Sequence, residues 1–117
     1  MSFLFAVAGA IKRPAGITLS APFSDITDAP LGGPTAGNTV TLSMASGKTI
    51  TYTVEPAGTL RRKLNAGAFT IVTTGSTVTV ASGDTLQHDY ATGGGETGVV
   101  TLKVGGATVD TFVCTGT

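Results

Sequence analysis

The sequence has few of the side chains on which reactive or ligand-binding sites depend. It contains no Trp, one Cys, one His and two Tyr. A single cysteine excludes a disulfide within the chain and a zinc cluster built from cysteines. The absence of Trp argues against sugar binding by aromatic stacking. No nucleophile, base and acid can be assigned to one constellation, so we expect neither an enzyme nor a cofactor.

Charge is also scarce, at 12% of the 117 residues, and seven basic residues balance seven acidic ones. Nucleic acids and anionic membranes are bound through clustered Lys and Arg, so neither is expected as a partner. A weakly charged surface rich in Thr and Gly suits flat contacts with other protein copies.

The residues that are abundant favour strands and tight turns. Thr is the commonest residue and Gly occurs 17 times; Thr and Val suit a pleated sheet because they branch at Cβ. Apolar residues alternate in the last third of the chain, between Gly-containing turns. The alternating sets are Val78 and Val80; Leu86, His88 and Tyr90; and Val100, Leu102 and Val104; after Gly105-Gly106 they are followed by Val109, Phe112 and Cys114. The fold class predicted is all-β, an immunoglobulin-like antiparallel sandwich of about seven to eight short strands rather than a barrel.

The middle of the chain yields more specific predictions. Strands at 39–44 and 49–55 are predicted to form a hairpin, and 28–38 to be a loop because Pro and Gly are frequent there. A strand at 68–73 is predicted around Phe69 and Ile71. The turn before it is predicted to place Gly67 at a positive φ.

Residues 1–16 are predicted to form an N-terminal arm or edge strand, followed by the sandwich domain at 17–117. Its apolar run carries no charge, and Lys12 and Arg13 follow it, whereas a signal peptide places positive charge first. Such a run, if exposed, marks an interaction surface. The predicted contact residues are Phe3, Leu4, Phe5, Val7 and Ile11. The arm either docks on a neighbouring copy or is the first strand of the sandwich.

The isolated polar residues have simple structural interpretations. His88 lies on an alternating strand and is expected to be packed or at a rim, not to act as a base. Asp84 is expected to accept hydrogen bonds from backbone N–H groups of its turn. Asp25 and Asp28 lack the ordered acidic spacing of a calcium loop, so no metal is expected. Cys114 is expected to be a buried small hydrophobe.

Arg61-Arg62-Lys63 is the only dense charge. On a strand, Arg61 and Lys63 share one face and Arg62 takes the other. The segment is interpreted either as an edge strand protected by charge or as a patch that binds a neighbouring subunit. Nucleic acid ranks third, because three charges release few counterions. Gly93-Gly94-Gly95 lacks the helix and Lys of a phosphate loop and is interpreted as a flexible tip.

Several short motifs, taken in order, resemble the Ig-like repeats of bacteriophage virion and bacterial surface proteins. The resemblance covers roughly residues 23 to 115. Its motifs are Phe23, Asn38-Thr39-Val40-Thr41, Val54 to Gly58, Asn65-Ala66-Gly67-Ala68-Phe69-Thr70, Gly83-Asp84-Thr85, Thr101 to Gly106 and Asp110-Thr111-Phe112.

This resemblance implies a non-enzymatic structural protein located in a phage particle. Its expected partners are other virion proteins, capsid or tail subunits, and further copies of itself as a homo-oligomer. A single domain with an arm favours a capsid decoration, cement or spike-base role. A tail component, or an adhesion module that binds a host surface or carbohydrate, is the alternative.

Overall fold

The computed structural model describes residues 11–12, 15–30, 32–55, 58–91 and 97–116. Every regular element in these ranges is a β-strand, and none of them contains a helix able to cross a membrane. The strands are β1 (Ile11–Lys12), β2 (Thr18–Leu19), β3 (Ile26–Ala29), β4 (Thr35–Ala36), β5 (Val40–Ser43), β6 (Lys48–Glu55), β7 (Thr59–Leu64), β8 (Thr70–Val72), β9 (Thr77–Val80), β10 (Thr85–Ala91), β11 (Thr97–Val104) and β12 (Ala107–Gly116).

The strands form two sheets that pack face to face. Sheet one has the order β1-β2-β5-β10-β7-β8, with β4 also paired to β10, and sheet two has the order β3-β12-β11-β6-β9. The β3 strand runs parallel to β12, whereas the other pairs are antiparallel. The chain crosses several times between the two sheets, and the early strand β3 is parallel to the last strand, which gives an immunoglobulin-like sandwich. The predicted fold class is confirmed, although the described strand segments outnumber the seven or eight expected.

The core lies between the sheets and is built by the alternation seen in the sequence. On β10 and β12 the inward residues Leu86, Phe112 and Cys114 are at most 1% exposed. Phe23 is 5% exposed and packs against Phe112 at 5.9 Å between ring centroids. Burying each large apolar side chain contributes about 1.5–3 kcal/mol. Cys114 is fully buried and is a core residue as expected. This burial, with the negative charge of Asp25 second, raises the pKa of its thiol to about 12.

The hairpin predicted at 39–44 and 49–55 is wrong. The first segment contains β5, which pairs with β2 and β10 in sheet one, and the second contains β6, which pairs with β11 and β9 in sheet two. Alternation shows which face of a strand is buried but not which strand is its neighbour. The short connection between them crosses from one sheet to the other.

Two local predictions also need correction. The predicted loop at 28–38 contains the end of β3 and the whole of β4, whose Ala36 pairs with Asp89. In the turn after β7 the positive φ, 53°, belongs to Asn65, not to Gly67. Asn tolerates this conformation because its short side chain bonds locally, and Asn65 Oδ1 accepts a 2.9 Å bond from the Thr85 amide.

The N-terminal prediction is only partly within the described residues. Ile11–Lys12 forms β1, which pairs with β2 through Ile11↔Leu19 and therefore lies at one edge of sheet one. Phe3, Leu4, Phe5 and Val7 lie outside the described residues, as do Gly93 to Gly95. The boundary between arm and domain stays a prediction.

Candidate functional site

The basic segment lies on β7, which is not an edge strand. It is paired on one side with β10 and on the other with β8, so the interpretation as a charge-protected edge is wrong. Residues paired across antiparallel strands share a face. Arg62 is paired with His88, which points into the sandwich, whereas Arg61 is paired with Asp89 on the outer face. The predicted division of the three charges between two faces is therefore found.

Arg61 is matched by a carboxylate on the neighbouring strand. Its Nε donates a 2.9 Å hydrogen bond to Asp89 Oδ1, and its second nitrogen bonds Oδ2. The Asp89 side chain is 5% exposed and that of Arg61 is 35% exposed. The hydrogen bond to Asp89 raises the pKa of the Arg61 guanidinium. This two-bonded geometry holds β7 and β10 together on the outer face and uses the charge of Arg61 within the chain.

Lys63 shares an aromatic neighbour with Arg61. The Arg61 guanidinium carbon lies 5.0 Å from the centre of the Phe69 ring, and Lys63 Nζ lies 5.8 Å from it. Cations at such distances are attracted to the ring face. The outer face of β7 therefore offers a partner mainly the charge of Lys63, because Arg61 is already paired.

The one histidine is part of the core. His88 is 2% exposed and lies between Phe23 and Phe112, with both ring centroids 5.0 Å from its own. Its Nε2 and the Tyr52 hydroxyl are hydrogen-bonded at 2.7 Å, whereas its Nδ1 has no partner among the described residues. Burial first, and the charge of Arg62 second, lower the pKa of His88 to about 3. A neutral, enclosed imidazole packs as predicted and has no access to a substrate.

Removing the Tyr52 hydroxyl tests how much this buried bond matters. Tyr52→Phe leaves both His88 nitrogens without partners, so we expect a loss of about 1–3 kcal/mol in the free energy of unfolding. The double variant Tyr52→Phe/His88→Leu removes both polar groups and should recover most of that loss. Urea denaturation at neutral pH measures both; equal stability of Tyr52→Phe and wild type contradicts the prediction.

The acidic side chains serve turns and strand ends. Asp84 Oδ2 accepts a 2.8 Å bond from the Ala81 amide, and this bond, followed by that from Asn65, lowers the pKa of Asp84. Asp25 Oδ1 accepts from the Val113 amide at 2.9 Å. The turn role predicted for Asp84 is confirmed. Among the residues described, no group of three or more His, Cys, Asp or Glu is placed to hold a metal ion.

The surface with most to offer a partner is the side of the sandwich where β8 and β9 are outermost, called the open side below. A tight turn joins β8 to β9 and so passes from sheet one to sheet two. Thr74 fastens this turn to β6, because its Oγ1 accepts from the Val54 amide at 2.9 Å and donates to the Val54 carbonyl at 2.8 Å. The Gly75 amide adds a 2.8 Å bond to the Tyr52 carbonyl. In the part of the chain that the structure describes, no strand pairs with the outer side of β8 or β9, and these bonds tie the turn between them to β6.

A groove of about 470 Å³ lies along this open side. It is lined by Val54, Gly58, Thr59, Leu60, Ile71, Val72, Thr73 and Thr74. Ile71, one of the two residues around which the strand at 68–73 was predicted, is 63% exposed, whereas its neighbour Val72 is 3% exposed. The adjacent apolar pair fits either phase of a strand, and pairing of Ile71 with Arg61 sets the outward one. Sequence reasoning missed this site for that reason.

The members of the predicted contact set that the structure describes lie on two different strands, β1 and β7. Of the N-terminal set, only Ile11 is described, in β1, at the edge of sheet one opposite β8. Arg61 and Lys63 lie on the outer face, and Arg62 lies on the inner one. The groove shares β7 with the basic segment, but its lining side chains are apolar residues and Thr.

Comparison with known proteins adds no identification. No family model matches the chain, and no curated protein matches it. Among solved structures, the ASH / PapD-like domain 7 of human CEP192 is similar at a TM-score of 0.41 and 12% identity, covering 100% of this chain and 96% of that one. WR4, a C. elegans MSP family member, is similar at a TM-score of 0.42 and 10% identity, covering 88% of this chain and 99% of that one. Likeness at this level has no weight for function, and the sandwich architecture follows from the strand pairing itself.

Proposed function

We propose that this chain is a non-enzymatic structural protein of a phage virion. It binds in many copies to the capsid as a decoration, cement or spike-base protein, through its N-terminal arm and its sheet edges. The ordered motifs between residues 23 and 115 support the virion assignment by their resemblance to Ig-like virion repeats. A tail component is the rival within the same class.

The open side is the observation on which the proposal chiefly rests. A strand edge with free N–H and C=O groups is a template for pairing with another chain, and β8 and β9 place two such edges side by side. Exposed Ile71 and the groove beside it add apolar surface. Apolar contact combined with edge pairing suits stable docking, and repetition by symmetry multiplies its strength.

The use of the polar residues also supports a structural role. His88 and Tyr52 are bonded to each other inside the core, and Asp84 and Asp25 bond backbone amides. Catalysis needs a positioned acid, base or nucleophile that a substrate can reach. None of these four side chains is placed in that way, and the groove is lined by apolar and Thr side chains.

Quantitative mass spectrometry of purified particles tests the proposal. In the phage that encodes the chain, we expect it in separated heads, at a copy number proportional to that of the major capsid protein. A phage protein that is not part of the particle is the matched control and should be lost on purification. Recovery in tails alone would favour the tail role, and absence from both fractions would refute a virion role.

A further inference from the structure

The groove on the open side is shaped to receive an apolar, extended segment. Four of its lining side chains are apolar, Val54, Leu60, Ile71 and Val72, and its other side chains are three Thr. A volume of about 470 Å³ lies within the range of pockets that enclose whole ligand groups. The β8 strand beside it is only three residues long, so backbone pairing there is brief and side-chain burial must supply most of the affinity.

The chain itself contains a segment of this character. Residues 3 to 11 read Phe-Leu-Phe-Ala-Val-Ala-Gly-Ala-Ile, with no charge and no Pro. This segment joins the described fold at β1, which is the outermost strand of sheet one on the side away from β8. The β1 strand, to which this segment is attached, and the β8 strand, which helps to line the groove, are therefore at opposite edges of sheet one.

The length of the N-terminal segment decides whether it can fill the groove of its own copy or only that of another copy. The β1 and β8 strands are five strand positions apart, which is about 24 Å at the usual strand spacing. The ten residues before β1 span at most about 33 Å when fully extended. A segment crossing its own sheet would retain about three residues for the groove, whereas the segment of a second copy can use its whole length.

We propose that the Phe3–Val7 stretch of one copy lies in the groove of a second copy and pairs with the free edge of its β8. This inference rests on the proposed many-copy role and names the partner of the open side as the same chain. The interface is head-to-tail, because the two contributing surfaces are different. Repetition of such a contact gives a closed ring, or a filament if the rotation does not close.

A pair of complementary variants tests this directly in the full-length chain. Ile71→Lys places a charge in the groove of an otherwise intact copy, and Ile71 is exposed, so the fold should be unaffected. Phe3→Asp/Phe5→Asp alters only the donor segment. Each change should weaken self-association by about 30-fold or more, the effect of losing a hot-spot side chain. Mixed together, the two variants should form a one-to-one dimer and nothing larger, because one intact donor meets one intact groove.

Sedimentation velocity over a wide concentration range reads out each sample. Val99→Lys is the matched control, since Val99 is the other exposed large apolar residue in the described part of the chain and lies on β11 in sheet two. It should associate like wild type. A photo-crosslinking residue at Phe5 should join peptides from residues 58–74 of a differently isotope-labelled copy.

Three outcomes would overturn this inference. These are a wild type that is monomeric throughout, variants whose mixture remains monomeric, and crosslinks confined to one copy. None of these outcomes contradicts the virion role, which depends on finding the chain in particles. Conversely, head-to-tail assembly of a chain that is absent from particles would support this inference and refute the virion role.

Discussion

Replacing Gly58 with alanine is expected to lower the free energy of unfolding by about 2–4 kcal/mol. Gly58 has a φ of +80°, where a Cβ is strained. A Cβ there would also lie 2.6 Å from the Ala91 carbonyl oxygen and 2.7 Å from the Tyr90 hydroxyl. Tyr90 is 2% exposed and belongs to β10 at the centre of sheet one, so it cannot move aside without disturbing the core. The methyl group forces β7 away from β10.

Gly75→Ala is the matched control for this effect. Gly75 has a similar φ of +93°, but a Cβ built there meets nothing within 4 Å. Gly75→Ala should therefore lower the free energy of unfolding by about 1 kcal/mol, the lower end of the range for a strained backbone conformation. Thermal and urea denaturation of both variants separate the close contact from the strain. If the two variants lose equal stability, the contact between Gly58 and Tyr90 does not restrict this position.

Acid is expected to weaken the fold by about 3 kcal/mol between pH 6.5 and pH 4, through His88. The pKa of His88 falls from an ordinary 6.5 to about 3 in the folded chain, because the ring is buried and Arg62 lies near it. Between these values the unfolded chain binds the proton and the folded chain does not. The contribution of His88 to the free energy of unfolding is therefore fully present above pH 6.5. Below that pH, the free energy of unfolding falls by about 1.4 kcal/mol for each pH unit. Such a loss is a large part of a typical total of about 5–15 kcal/mol.

Urea denaturation at pH 7, 6, 5 and 4.5 measures this loss. Asp84, whose pKa is below its ordinary 3.8, adds its own loss only at lower pH. In the double variant Tyr52→Phe/His88→Leu the slope over this window should nearly disappear. A wild-type slope that persists in the double variant would assign the acid sensitivity to other groups.

Much of the fold was predictable because the alternation of apolar and polar residues along a strand shows which of its side chains are buried. Leu86, His88 and Tyr90 alternate in the sequence, and all three point into the core. The turn role of Asp84 followed from its place after Gly83. The hairpin between β5 and β6 was predicted wrongly because both strands have one buried face, and a sandwich offers that face to either sheet.

The candidate site was much less predictable. Ile71 and Val72 are both apolar, so the sequence allows either to face outward. Pairing with Arg61, itself fastened to Asp89, makes Ile71 the exposed one. The groove combines residues from β6, β7 and β8, and their assembly depends on the turn that Thr74 ties to Val54.

An all-β chain with little charge, a histidine on an alternating strand and an apolar N-terminal run can all be read from residue type and period alone. Which strands are neighbours, which described strands lie at the sheet edges and where apolar surface is exposed depend on the folded structure. Strand pairing joins distant parts of the chain, as when β3 pairs with β12. The two edge strands of sheet one, β1 and β8, are likewise far apart in sequence. No local pattern specifies that arrangement, and the proposed contact between copies depends on it.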